Sequence, residues 1–361
     1  MRNSRSVAAK DVAKEAPPEK AAPRDGSASD ALRIGVIGAG AIAQLAHLPV
    51  LSTMRGASLV ALCDNDGPKA RALADRFGVP DAFTDIEELL EYDELDAVVI
   101  ATPNHLHEAH VLSALAAKVH VLCERPLALT ARGVDRILAA STRAGRKVVV
   151  GNNHRFRSDV QALDSFLHGG ELGKLVGVRG GSYQRRSGTE GWRGRRAEAG
   201  GGAFLDHGLP LLDLALWLSD FPEPVRVSAH MQRGRGKDAV EDAMLVHLEC
   251  AGGVTFAFDV TTAYVGQDDR AWFELLAARG SAQLAPLRVT KELNGKAVDV
   301  SPRGAAARES AFIQSYRAEL AHFAAVVAEK VPYEPPTDQA VLHRVLEAAY
   351  RSAEDGKEVR L

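Results

Sequence analysis

From Leu32 onward, short apolar runs alternate with longer segments in which apolar residues recur at helical spacing. The runs Leu32–Ile37, Ser58–Cys63, Asp96–Ala101, Val119–Cys123 and Lys147–Val150 read as strands. Near-continuous Val, Ile and Leu suits strands covered on both faces. The segments Pro68–Phe77, Ile86–Tyr92 and Leu106–Ala117 supply the covering helices. This alternation predicts an α/β domain with a doubly wound parallel sheet.

After Gly151 the pattern changes. A helix is expected over Val160–Leu167, followed by strands over Leu175–Tyr183, Val225–Gln232, Ala243–Glu249, Gly253–Thr261 and Trp272–Ala277. Residues 254–260 alternate apolar with polar or small, as in an antiparallel sheet with one buried face. Helices over Ser310–Ala328 and Thr337–Ala353 close the chain, separated by the proline-rich stretch at 332–336. The expected organisation is a tail over 1–30, a first domain over 31–152 and an α+β second domain over 153–361 whose final helix packs back on the first.

Composition narrows the class. At 361 residues there is room for about two domains, and 46% hydrophobic with 25% charged residues is ordinary globular usage. A net charge of −3 gives no general attraction to nucleic acid or anionic membrane. Residues 1–30 are polar and Ala/Pro-rich with no apolar stretch, so neither a secretory signal nor a membrane anchor is expected there. No later segment has the length of a membrane span. Cys63, Cys123 and Cys250 are scattered, which fits a reducing, cytoplasmic setting and no thiolate metal site.

The first strand runs into Gly38-Ala39-Gly40-Ala41-Ile42-Ala43, a G-x-G-x-x-A turn opening a helix. Gly38 allows the tight turn, Gly40 lets backbone approach a pyrophosphate, and Ala43 stands in for the third glycine. The helix N-terminus offers free N–H groups to phosphate. Asp64, at the end of the second strand, suits a ribose hydroxyl and repels a 2′-phosphate, so NAD is expected before NADP.

Two further stretches, residues 101–107 (A-T-P-N-H-L-H) and 121–127 (V-L-C-E-R-P-L), resemble the Gfo/Idh/MocA oxidoreductases of sugars and inositols. The likeness extends to residues 200–208 (G-G-G-A-F-L-D-H-G) and 349–353 (A-Y-R-S-A). It implies a Rossmann domain, an open-faced, mainly antiparallel second sheet that mediates homo-oligomers, and hydride transfer between a nicotinamide and a sugar-like carbinol. It also implies that Thr102, Pro103, Asn104 and His107 lie beside the nicotinamide, with Glu124, Arg125 and Pro126 closing over the ring.

The chain departs from that family's acid/base set, which combines the lysine of E-K-P with an Asp and a His four residues apart. Here the lysine is Arg125, and Pro210 stands four residues after Asp206. A guanidinium anchors an oxygen but does not shuttle its proton. The expected catalytic set is therefore Arg125 as anchor, Asp206 as orienter and the neighbouring His207 as acid/base, since histidine titrates near neutrality. Adjacent helical residues diverge by about 100°, so Asp206 and His207 share a face only if this turn is irregular.

Arg155, Tyr183, Trp192 and Arg193 are substrate-binding candidates. Arg185, Arg186, Arg193, Arg195 and Arg196 form a basic loop that, with Arg125 and Arg155, suits a carboxylate or phosphate on a sugar. His105, His107, Glu108 and His110 lack zinc spacing, and no Ser or Cys shows a nucleophile's partners. The rival reading is a catalytically silent dinucleotide-binding sensor or assembly protein.

Overall fold

A computed structural model describes residues 31–361 except 93–94, 187–190, 235–238 and 303–308. The expected tail over 1–30 and part of the basic loop lie outside the described residues.

The first sheet comprises β1 (Leu32–Ile37), β2 (Ala57–Cys63), β3 (Asp81–Phe83), β4 (Ala97–Ile100), β5 (His120–Glu124) and β6 (Val148–Gly151). All neighbours are parallel, in the order β3-β2-β1-β4-β5-β6. The chain leaves β1 in one direction and returns on its other side as β4. That reversal opens a crevice at the carboxyl ends of β1 and β4, where doubly wound sheets bind ligands. Strands β1, β4 and β5 are almost wholly buried, as their unbroken apolar runs require. Strand β3 was not expected, because its three half-buried residues carry no periodicity.

The second sheet has nine strands: β7 (Leu175–Arg185), β8 (Pro224–Arg233), β9 (Glu241–Cys250), β10 (Thr255–Tyr264), β11 (Arg270–Ala277), β12 (Gly280–Leu284), β13 (Arg288–Leu293), β14 (Lys296–Asp299) and β15 (Val359–Arg360). Their order is β14-β13-β12-β11-β7-β10-β9-β8-β15, antiparallel except for the β7–β10 pair. On β10, Phe256, Phe258 and Val260 face the core. Burying each contributes about 1.5–3 kcal/mol. The other face is open, with Val176, Leu245 and Leu276 exposed.

Several elements of this half escaped the periodicity. The helix Leu209–Leu218 is apolar except for Asp213 and buried on nearly every side, so it has no stripe to detect. Strands β13 and β14 are joined by Asn294-Gly295, both at positive φ, the two-residue turn that this dipeptide favours.

The closing helices bridge both halves. On Ala311–Val327, Leu320 and Phe323 pack into the core behind β1 and β2. On Asp338–Asp355, Leu342, Val345 and Leu346 join the core of the second sheet, while Glu347 accepts from the Ala131 N–H at 2.8 Å. No helix among the described residues is long and apolar enough to cross a membrane.

Candidate functional site

A cleft of about 740 Å³ opens at the switch point, lined by the Gly38–Ile42 turn, Asp64, Thr102–His107, Glu124, Arg125, Trp192, Arg193, Asp206 and Tyr316. The two motif glycines have different physical reasons. Gly38 sits at φ +96°, and a Cβ there would lie 2.7 Å from the Ala101 carbonyl, so the fold itself demands glycine. At Gly40 a Cβ would meet nothing nearer than 3.9 Å. Its bareness serves no internal contact and leaves a cradle at the start of the following helix, which fits a pyrophosphate. Ala43 is fully buried behind the turn.

Asp64 ties this turn to β2. One carboxylate oxygen accepts from the Ala39 N–H at 2.8 Å; the other accepts from the Asp66 N–H at 3.0 Å and pairs with Lys69 at 2.8 Å. Burial would raise its pKa, but Lys69 and the two N–H donors together hold it below the usual carboxylate range.

His107 staples the two central motifs. Its Nδ1 lies 2.7 Å from the Pro126 carbonyl oxygen and its Nε2 2.8 Å from that of Thr102. A neutral ring donates to one and the imidazolium to both; burial outweighs the two acceptors and holds the pKa below the ordinary histidine value. Thr102 Oγ1 is 3.1 Å from His110 Nδ1. Pro103 caps the helix Asn104–Ala116, and Asn104 donates to the Ala199 carbonyl at 2.8 Å, fastening the 191–199 segment over the cleft.

The opposite wall begins at the triple glycine. A Cβ on Gly201 would fall 2.0 Å from the Tyr350 hydroxyl, and one on Gly202 would fall 2.2 Å from the Glu241 carbonyl. Only glycines allow this approach. Glu241 then accepts from the N–H groups of Gly202 (2.9 Å) and Phe204 (3.0 Å) and from the Tyr350 hydroxyl (2.8 Å), anchoring the start of the next helix. Burial keeps the pKa of Glu241 above the usual value despite these donors.

That helix starts as a π-helical turn, Phe204–Gly208, with Leu209 N–H bonded to the Phe204 carbonyl five residues back. Pro210 explains the widening: it offers no N–H to the Asp206 carbonyl, and its ring would crowd that oxygen in an α-helix. The same event occurs at Ala43–His47, where Leu48 bonds back to Ala43 and Pro49 follows. The wider turn breaks the four-residue stacking assumed for positions 206 and 210. Asp206 lines the cleft; His207 is half-buried and is not among the lining residues. Burial, helped by Arg125 and opposed by Asp206, holds its pKa below the ordinary histidine value.

Two expected substrate residues are not brought to the cleft. Arg155 forks onto Asp213 (2.8 and 2.5 Å) and reaches Asp338 at 2.7 Å, locking three segments together. These carboxylates override burial and raise its pKa, so its donors are spent on structure. Tyr183 donates to Asp259 at 2.5 Å within the second sheet and packs edge-on to Trp272. Of the basic loop, Arg193 and Arg195 reach the cleft, Arg193 lying 4.4 Å over the Trp192 ring. Arg195 pairs with Glu198, Arg185 with Asp269 and Arg196 with Glu354. The positive mouth is therefore narrower than the sequence suggested.

The periodicity also passed over His47, Tyr316 and Glu319. His47 is fully buried with Nε2 2.8 Å from Glu124 Oε1, and its ring meets Tyr316 edge-on at 5.2 Å. A titratable residue inside an apolar helical run was the available signal for His47. Among the described residues no group of three or more potential ligands is placed to hold a metal.

Comparison with known proteins agrees with this geometry. Residues 32–152 match the model of an oxidoreductase family with an NAD-binding Rossmann fold, and residues 160–283 match the GFO/IDH/MocA C-terminal domain. D-glucoside 3-dehydrogenase of Escherichia coli is 27% identical over 92% of this chain and 98% of its own length. Inositol 2-dehydrogenase 1 of Saccharopolyspora erythraea is 31% identical, covering 91% and 96%. The crystal structure of GenD2 from gentamicin A biosynthesis in complex with NAD superposes with a TM-score of 0.80 at 26% identity, covering 94% of this chain and 99% of that one.

Proposed function

The chain belongs to the GFO/IDH/MocA family of oxidoreductases with an NAD-binding Rossmann fold, and from that premise we propose that it is an NAD-dependent dehydrogenase of a CH–OH group on a sugar-like, polyhydroxylated substrate. The observation that carries this reading is the shared cleft: the glycine cradle and Asp64 at one end, Arg125 and Asp206 at the other. The relatives' names, a glucoside dehydrogenase and an inositol dehydrogenase, support the substrate class.

Gly38, Gly40, Ile42, Ala43 and Asp64 would hold the dinucleotide, with Thr102, Pro103, Asn104, His107 and Glu124 toward its nicotinamide end. When bound, NAD accepts the hydride. Asp64 disfavours a 2′-phosphate, so NADP should bind more weakly. Arg125 binds the reacting oxygen and stabilises negative charge developing on it, and Asp206 orients a neighbouring hydroxyl. Trp192 and Arg193 cover the substrate, and Arg193 suits a carboxylate or phosphate on it.

Calorimetry of NAD and NADP, with neutral sugars, uronates and sugar phosphates as competitors, tests this. Uronates or phosphates should compete at least tenfold better than neutral sugars, and equal weak effects would remove the anionic preference. The open sheet face, with Val176, Leu245 and Leu276 exposed, suits a second copy, and light scattering should report a homo-oligomer. A cytoplasmic location accords with three free, buried cysteines. The silent-sensor reading rests on Arg125 and Pro210 alone and predicts NAD binding without turnover.

A further inference from the structure

Resting on that reading, the open question is where the hydroxyl proton goes when position 125 holds an arginine. Behind Arg125 lies a buried group of side chains unused so far. Glu124 lines the cleft with its side chain about 11% exposed, while Oε1 is held 2.8 Å from Nε2 of a His47 that has no exposure at all. His47 Nδ1 has no hydrogen-bond partner among the described residues. The ring is fixed by the π-helical turn before Pro49 and by edge-on contact with Tyr316. One turn along the same helix, Glu319 is completely buried with neither carboxylate oxygen partnered.

We propose that Glu124 is the catalytic base of the dehydrogenation and that His47 is the positioning residue that holds its carboxylate toward the cleft. In the oxidation the substrate O–H bond breaks and its proton passes to Glu124. The carbinol C–H bond breaks with its electron pair going to the nicotinamide of NAD, and the C=O bond forms; the alcohol is oxidised and NAD reduced. The Arg125 guanidinium lowers the cost of the developing alkoxide.

Titratable and charged groups from four elements face Glu124. His47 comes from the π-helical turn, Arg125 from the end of β5, His107 from the helix behind the cleft, and Tyr316 and Glu319 from the closing helix. Burial opposes ionisation, but His47, Arg125 and His107 together hold the Glu124 pKa below its usual range. Glu319 is driven the other way by burial and by Glu124, well above the usual range, so the pair carries one negative charge rather than two. Burial, then Glu124 and Glu319, raises the pKa of the Tyr316 hydroxyl, so it stays protonated and takes no proton from the substrate.

The test uses the full chain with NAD and whichever substrate the wild type oxidises, reading single-turnover NADH formation, NAD affinity by calorimetry and the pH dependence of kcat. Glu124→Gln should lower kcat about 100-fold or more, the range of general base catalysis, with NAD affinity within threefold and a rate that climbs with pH as hydroxide takes over. Formate should restore part of the activity of Glu124→Ala. His47→Gln should lower kcat with KM unchanged and alter the pH profile. Wild-type kcat in Glu124→Gln, or a loss matched by equal loss of NAD affinity, would overturn the base assignment and leave the dehydrogenase reading intact. A wild-type chain that binds NAD and oxidises no member of a broad substrate panel would overturn both.

Discussion

The two ends of the cleft offer a ligand different things. At the dinucleotide end the surface is backbone: a glycine turn with one residue at positive φ, an uncrowded Gly40, and a carboxylate already committed to two N–H groups and a lysine. At the other end it is side chains: Arg125 at the end of β5, and Asp206 on a turn shaped by Glu241, Tyr350 and Pro210. Backbone recognition tolerates little sequence change, so its signature stays readable; side-chain chemistry can be exchanged residue by residue on the same scaffold.

The sharpest way to break this contrast is at the two glycines. Gly38→Ala forces a Cβ into the Ala101 backbone at positive φ and should cost about 2–4 kcal/mol of stability together with NAD binding. At the substrate end, Arg125→Met should leave NAD affinity near wild type and lower kcat/KM by about 10²–10³-fold, as removal of an oxyanion donor does. Glu241→Gln places an amide among three donors; it should cost about 1–3 kcal/mol in thermal denaturation and lower kcat through displacement of Asp206. Gly40→Ala should keep stability within about 0.5 kcal/mol and weaken NAD about tenfold, separating ligand contact from fold.

The smallest effect concerns pH. Asp64 has a folded pKa below its unfolded one, so its contribution is complete above the ordinary carboxylate range and is lost only as pH falls through the lower folded value. NAD affinity should therefore vary less than about twofold between pH 8 and 5. A fall centred near an ordinary carboxylate pKa would show that Lys69 and the turn do not hold Asp64 as described.

Much of this arrangement was legible in the chain. The strand–turn–helix at Leu32–His47 and the carboxylate at the end of β2 were readable as a glycine turn beside Asp64, because those positions follow from backbone geometry alone. The placement of Arg155 was not legible: its partners Asp213 and Asp338 lie 58 and 183 residues away in sequence, and nothing local distinguishes a structural fork from a substrate anchor. His207 was offered as the acid/base because Pro210 stands where a histidine was expected, with the proviso that an irregular turn was needed to bring it beside Asp206. The larger consequence of Pro210 is the widened turn that moves the neighbouring positions. His47 and Glu319 hide in apolar helices, where their chemistry appears only when the helices meet.

The proposed dehydrogenation places Arg125, a guanidinium, at the reacting oxygen. The direct measurement is reduction of NAD by the purified chain across polyols, sugars, uronates and sugar phosphates, followed by nicotinamide absorbance with NAD affinity measured in parallel. NADH should form with at least one polyhydroxylated substrate, and its formation should fall about 10²–10³-fold in Arg125→Met while NAD still binds. Tight NAD binding with no NADH formed across the whole panel would contradict it and favour a protein that reads the dinucleotide without using it.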